Sequence, residues 1–73
     1  MARLPSVSSR EVVKAFERFG WVVVRQCGSH IIMIQLGHTA TLSVPNHDPV
    51  AKGTLRSLIR AAALTVSEFV AIL

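Results

Sequence analysis

Residues 27–34 read CGSHIIMI, which places a turn glycine, a hydroxyl and an imidazole directly ahead of an apolar strand. From Gln26 to Asn46 the chain carries no Asp, Glu, Lys or Arg, and all three histidines lie between Cys27 and Asp48. Histidine is the side chain that titrates near neutral pH. We therefore expect proton chemistry in this segment rather than in its charged flanks.

The composition indicates one small domain with a basic surface. The 73 residues are 51% hydrophobic, which is enough for one core, so residues 1–73 are expected to form a single domain. The net charge of +4 favours an anionic partner, nucleic acid first, although many small basic proteins bind nothing anionic. The single cysteine excludes an internal disulfide, and no stretch resembles a signal peptide or membrane span, which indicates a cytoplasmic protein with no membrane partner.

The charged flanks contain the predicted helices. The periodicity of apolar residues predicts helices over residues 9–19, 54–62 and 66–72. Two of them begin at a capping box, formed by Ser8 with Glu11 and by Thr65 with Glu68. Gly20 is the expected end of the first helix.

The segment between the first two helices contains the predicted strands. Stretches rich in β-branched residues predict strands over residues 21–26, 30–36 and 39–44. Turns are expected at Cys27-Gly28 and Gly37-His38, and Pro45 ends the third strand because proline cannot donate to a ladder. The order α-β-β-β-α with a short last helix predicts an α+β fold, with helices on one face of a three-stranded antiparallel sheet.

The register of the strands follows if both turns are two-residue hairpin loops. A slip of one residue in either loop would move the side chains of that strand to the other face of the sheet. This register pairs Arg25 with His30 and Met33 with Leu42. The face turned towards the helices then contains Val22, Val24, Ile31, Met33, Ala40, Leu42 and Val44. The opposite face, here called the open face, contains Trp21, Val23, Arg25, His30, Ile32, Ile34, Thr41 and Ser43.

The open face is more apolar than a solvated sheet should be. Trp21, Val23, Ile32 and Ile34 are all expected there. Such a patch usually marks a partner, so these four residues are the predicted interface for another protein or for a second copy of the chain. The alternative is that the last helix covers them.

Several motifs together resemble a known family. These are Gly20-Trp21, Arg25, Gly28-Ser29-His30, Val44-Pro45-Asn46-His47 and Lys52-Gly53-Thr54-Leu55-Arg56. In their order and spacing, over about residues 8–70, the chain resembles the HicA toxins of bacterial toxin–antitoxin pairs. The resemblance implies a fold like that of double-stranded RNA-binding domains and a toxin that cleaves messenger RNA. It also implies that His30 is catalytic and that a HicB antitoxin masks it. Cys27, residues 31–34 and Ala63 depart from the family's pattern.

His30 suits the chemistry that the resemblance implies. RNA is cut without metal when a group removes the 2′-OH proton or protonates the leaving 5′-oxygen, and histidine suits either role. Arg25 and Ser29 are candidates for holding the phosphate. Without the resemblance, an ordinary histidine at a strand edge would be the simpler interpretation.

The other two histidines are weaker candidates for a catalytic role. His47 is either a second acid–base group or a solvent-exposed loop residue, and His38 is expected in solvent at a hairpin tip. The three histidines lack the paired spacing of a metal site, so neither a metal nor another cofactor is expected.

A second basic region lies at the second helix. Lys52, Gly53 and Thr54 at its start offer backbone N–H groups and a charge to a phosphate. Arg56 and Arg60 lie four residues apart on one helical face and extend this row along an RNA backbone. The alternative is a solvated basic face.

Three functions remain open from the residues and the resemblance together. The leading one is a metal-independent ribonuclease toxin. The second is a non-catalytic RNA-binding module of the same fold. The third is a protein-interaction domain that uses the open face.

Overall fold

Three helices and three strands make up the structure, a computed structural model that describes residues 3–73. In chain order the elements are α1 (Ser9–Arg18), β1 (Val22–Cys27), β2 (His30–Ile34), β3 (Leu42–Pro45), α2 (Lys52–Ala61) and α3 (Val66–Ile72). The strands form one antiparallel sheet in the order β1-β2-β3. The α+β class and the three-stranded sheet are as the sequence predicted.

Local hydrogen bonds fix the starts of α1 and α3. The Ser8 hydroxyl accepts from the Glu11 N–H at 3.2 Å, and the Glu11 carboxylate accepts from the Ser8 N–H at 3.0 Å. Thr65 and Glu68 form the same reciprocal pair, so both predicted capping boxes are confirmed. Helix α2 differs, because it begins two residues earlier than predicted and has no side-chain cap.

The core lies between the helices and one face of the sheet. Helix α1 packs on β1, β3 and α3, while α2 packs on β3 and α3. The rings of Phe16 and Phe69 meet at 5.1 Å where α1 contacts α3. From the sheet, Met33, Leu42 and Val44 contribute fully buried side chains. No helix within residues 3–73 packs on the opposite face.

The register of β2 and β3 is as predicted. Met33 pairs with Leu42, Ile32 with Ser43, and Ile31 with Val44. The loop between them is longer than the two residues expected, since β2 ends at Ile34 and β3 begins at Leu42. Within this loop the turn is centred on Leu36 and Gly37, and the His38 N–H donates to the Gln35 carbonyl at 3.0 Å.

The register of β1 and β2 differs from the prediction next to the hairpin loop. The loop is Gly28-Ser29, so Cys27 faces His30 and Arg25 faces Ile32. Gly28 has φ +60° and occupies the first loop position, which glycine tolerates and cysteine does not. The predicted pairing of Arg25 with His30 is therefore wrong, although a shift of two positions keeps both residues on the same face.

A β-bulge at Val24 causes the larger error. Beyond it Val23 faces Met33 and Val22 faces Ile34, so one extra residue reverses the two faces of the strand. Trp21 is only 1% exposed, and Val23 lies on the helix side; both were expected on the open face. Conversely Val22 and Val24, expected in the core, are 52% and 49% exposed.

Candidate active site on the open sheet face

In the structure, residues that pair across neighbouring strands form three rows on the open face. The first row is Cys27, His30 and Pro45. The second row is Arg25, Ile32 and Ser43. The third is Val22 with Ile34. Polar side chains therefore occupy the end next to the Gly28-Ser29 loop, and apolar side chains occupy the other end.

His30 is the first residue of β2 and is exposed to solvent. Its Nδ1 atom lies 3.0 Å from the hydroxyl oxygen of Ser43. Ser43 stands in the next row, so the hydrogen bond runs diagonally between β2 and β3. The sequence register had placed both residues on the open face but had not paired them; the diagonal neighbour rule for antiparallel strands was the available signal.

Arg25 lies diagonally on the other side of His30. It faces Ile32 in the second row and is exposed. Diagonal neighbours on one sheet face have Cα atoms roughly 7–8 Å apart, a distance that an arginine side chain can bridge. Arg25 and His30 are therefore diagonal neighbours on one face, not the direct pair that was predicted.

The loop before His30 is tied to the start of α1. The Asn46 N–H donates to the Ser29 carbonyl at 2.6 Å, and the Asn46 side-chain oxygen accepts from the Ser9 hydroxyl at 3.0 Å. The Ser9 N–H donates to the Asp48 carboxylate at 2.9 Å. Sequence reasoning missed this network, because its members lie 37 and 39 residues apart. It gives the imidazole a fixed support.

The two other histidines occupy different settings. The His38 ring is half-buried, its centroid lies 4.8 Å from that of Trp21 with the two planes tilted by 56°, and its Nδ1 accepts from the Ala40 N–H at 3.3 Å. The expectation that His38 lies in solvent is therefore wrong. His47 is exposed in the loop after β3, two residues beyond Pro45, the partner of His30 in the first row.

The basic residues of α2 form a separate surface. Lys52, Arg56 and Arg60 are exposed and recur every four residues, so they follow one side of the helix. Lys52, Gly53 and Thr54 form the first turn of α2 rather than the segment in front of it. Because α2 packs on the helix side of the sheet, this row reaches the open face only around the β3 edge.

Within residues 3–73, no group of three or more His, Cys, Asp or Glu side chains is arranged to hold a metal ion. Cys27, opposite His30, is a free and exposed thiol. No helix in the same part of the chain is long and apolar enough to cross a membrane.

These features define a small α+β domain. It presents one hydrogen-bonded histidine, His30, on the open face of its sheet. Residues 9–64 match the family described as the HicA toxin of bacterial toxin–antitoxin systems, and the chain belongs to this family. The matched region runs from α1 through α2, includes the whole sheet with His30, and stops before α3. Membership implies an antitoxin as partner. Comparisons with curated proteins and with solved structures find no significant match.

Proposed function

We propose that this protein is the toxin of a toxin–antitoxin pair and acts as a metal-independent endoribonuclease on messenger RNA. His30 serves as the general acid or base. The observation that carries the proposal is the position of His30, exposed on the open face and held through Nδ1 by Ser43, in a chain of the HicA toxin family.

The chemistry needs one proton transfer at the imidazole. As a base, His30 takes the proton of a ribose 2′-OH, the freed oxygen bonds to the adjacent phosphorus as the bond from phosphorus to the 5′-oxygen breaks, and solvent water protonates the leaving 5′-oxygen. As an acid, it gives a proton to the 5′-oxygen while the bond between phosphorus and that oxygen breaks. General acid–base catalysis of this kind contributes about 10²- to 10⁴-fold to the rate.

Basic and polar groups near His30 support RNA binding. The exposed guanidinium of Arg25 can bind a phosphate through two hydrogen bonds, and the Ser29 hydroxyl in the loop can donate to another phosphate oxygen. The row formed by Lys52, Arg56 and Arg60, with the first-turn N–H groups of Gly53 and Thr54, then holds the flanking backbone. The net charge of +4 has the sign that this role requires.

The partner is a HicB-like antitoxin that covers the open face together with His30. The apolar end of that face favours this arrangement, since Val22 and Ile34 are 52% and 41% exposed and Leu36, in the loop after β2, is 100% exposed. Ile32, half-buried in the second row, continues the patch towards His30. Trp21 is buried and Val23 faces the helix side, so neither belongs to this proposed interface.

A cleavage assay with three purified proteins tests the proposal. The wild type, His30→Ala and His47→Ala are incubated with single-stranded RNA in the presence of a metal chelator. We expect His30→Ala to lower kcat by about 100-fold or more, because the acid–base group is lost. The wild type should keep its activity in the chelator. His47→Ala is the matched control, an exposed histidine at the same sheet end, and should stay within about 3-fold of wild type, well short of an acid–base loss.

Full cleavage by a folded His30→Ala protein would contradict the catalytic role. Salt-dependent RNA binding by a wild type that does not cleave would favour the non-catalytic RNA-binding module. A stable complex with a partner protein and no affinity for RNA would favour the protein-interaction domain.

A further inference from the structure

The hydrogen bond between His30 and Ser43 defines which ring nitrogen of the histidine is available. It engages Nδ1 at 3.0 Å, while the exposed ring directs Nε2 away from this contact. We infer that Ser43 is a positioning residue: its hydroxyl accepts the Nδ1–H of His30, selects that tautomer and leaves Nε2 as the atom that exchanges protons with RNA. Its catalytic meaning depends on the function proposed above.

The sheet itself holds Ser43 in place. Ser43 lies between Leu42 and Val44, and both of these side chains are fully buried against the helices. Alternation along the strand then forces the Ser43 side chain onto the open face. Its pairing with Ile32 sets its distance from His30, two residues earlier on β2. The contact is thus imposed by the core and the ladder.

A hydroxyl is a suitable partner for a histidine that changes its protonation state. In the neutral ring with a proton on Nδ1, the Ser43 oxygen accepts and Nε2 presents a lone pair. When Nε2 takes a proton, the Nδ1–H continues to donate to the same oxygen, and this bond becomes charge-assisted. The reverse arrangement, with Ser43 donating to Nδ1, would leave the neutral ring with its proton on Nε2 and unable to act there as a base.

Two isosteric variants isolate the hydroxyl. Ser43→Thr keeps it, Ser43→Val has the shape of that threonine without the hydroxyl, and Thr41→Val removes a hydroxyl in the same way at a neighbouring exposed position. We expect Ser43→Val to lower kcat for RNA cleavage about 10-fold with KM within about 2-fold, as a partial loss of acid–base catalysis. Ser43→Thr and Thr41→Val should stay within about 3-fold of wild type, since both keep a hydroxyl at residue 43.

A second readout does not depend on activity. Nitrogen-15 NMR of the histidine ring reports which nitrogen carries the proton in neutral His30. We expect the tautomer protonated on Nδ1 to dominate in wild type and Ser43→Thr, and its population to fall in Ser43→Val.

The two readouts separate this inference from the function on which it depends. A wild-type protein that cleaves no RNA would contradict the proposed function, and the NMR result would still decide whether Ser43 selects the tautomer. An unchanged tautomer population in Ser43→Val would overturn the inference, as would an unchanged kcat in an active protein.

Discussion

At the scale of single residues, burial decides the role of Trp21. Val22 on the open face is 52% exposed, but Trp21 directly before β1 is 1% exposed and its ring lies against that of His38. A large aromatic side chain buried in a chain of 73 residues is a substantial part of its core. The tryptophan therefore stabilises the fold and is not available to a partner.

We expect Trp21→Ala to lower the free energy of unfolding by about 3–5 kcal/mol, the usual cost of removing a buried aromatic side chain. The total free energy of unfolding of a domain of this length is only about 4–11 kcal/mol, so the variant should be largely unfolded at moderate urea concentration. Urea titration followed by circular dichroism measures this change.

Val22→Ala is the control for this measurement, because it shortens an exposed apolar residue next to Trp21 and should cost no more than about 0.5 kcal/mol. Equal urea midpoints for Trp21→Ala and wild type would show that the tryptophan is not part of the core.

At the scale of elements, the β-bulge at Val24 determines which valines meet the helices. It adds one residue to β1 opposite the step from Met33 to Ile32. Val24 is half exposed, whereas Val44 on β3 is fully buried. The register without a bulge would have placed both valines in the core.

The substitution of valine by threonine separates these two registers. We expect Val44→Thr to cost about 1–3 kcal/mol of unfolding free energy, because it buries a hydroxyl in the apolar core. Val24→Thr should change that free energy by no more than about 0.5 kcal/mol, because the new hydroxyl stays in solvent. Thermal unfolding of the two variants gives the comparison, and similar large losses in both would contradict the bulge.

What the sequence could predict at this scale was local. The capping boxes at Ser8 and Thr65 depend on residues three positions apart, and both are present. The register of β2 and β3 followed from a turn placed at Gly37-His38, and the alternation of Leu42, Ser43 and Val44 showed which face of β3 turns to the helices. Both patterns depend only on residues that are close together in the sequence.

The errors arose where distant packing decides the structure. Three consecutive valines in β1 carry no alternation, so nothing local indicated the bulge or the burial of Trp21. For the site, the family motif pointed to His30 and alternation placed Ser43 on its face. The ties of Asn46 to Ser29 and to Ser9 needed the folded chain.

The basic row of α2 carries a prediction for RNA binding. We expect the triple variant Lys52→Ala, Arg56→Ala, Arg60→Ala to reduce the magnitude of the slope of log affinity against log salt by about 2 for single-stranded RNA. Each lost phosphate contact lowers that magnitude by about 0.7. Filter binding across a series of salt concentrations measures the slope.

The matched control removes three charges from α1 with Arg10→Ala, Lys14→Ala and Arg18→Ala, and it should change the slope by less than about 1, the value of a single contact. Equal effects of the two triple variants would mean that only total charge matters and that α2 is not an RNA-binding surface.

At the scale of the whole molecule, the fold separates stability from function. Helices α1 and α2 cover one side of the sheet and α3 packs on both of them, whereas the other side presents His30, Ser43 and Arg25 beside an apolar end. An antitoxin bound to the apolar end would also cover the histidine. Substitution of His30 should therefore remove activity without loss of folding, because the side chain is exposed.

The most direct test is to induce the wild type and His30→Ala side by side in a bacterial host while following growth and bulk messenger RNA. We expect growth arrest and loss of messenger RNA only in the host that produces the wild type, with both proteins present at equal soluble levels. Growth arrest and loss of messenger RNA to an equal extent with His30→Ala would contradict the catalytic role of His30.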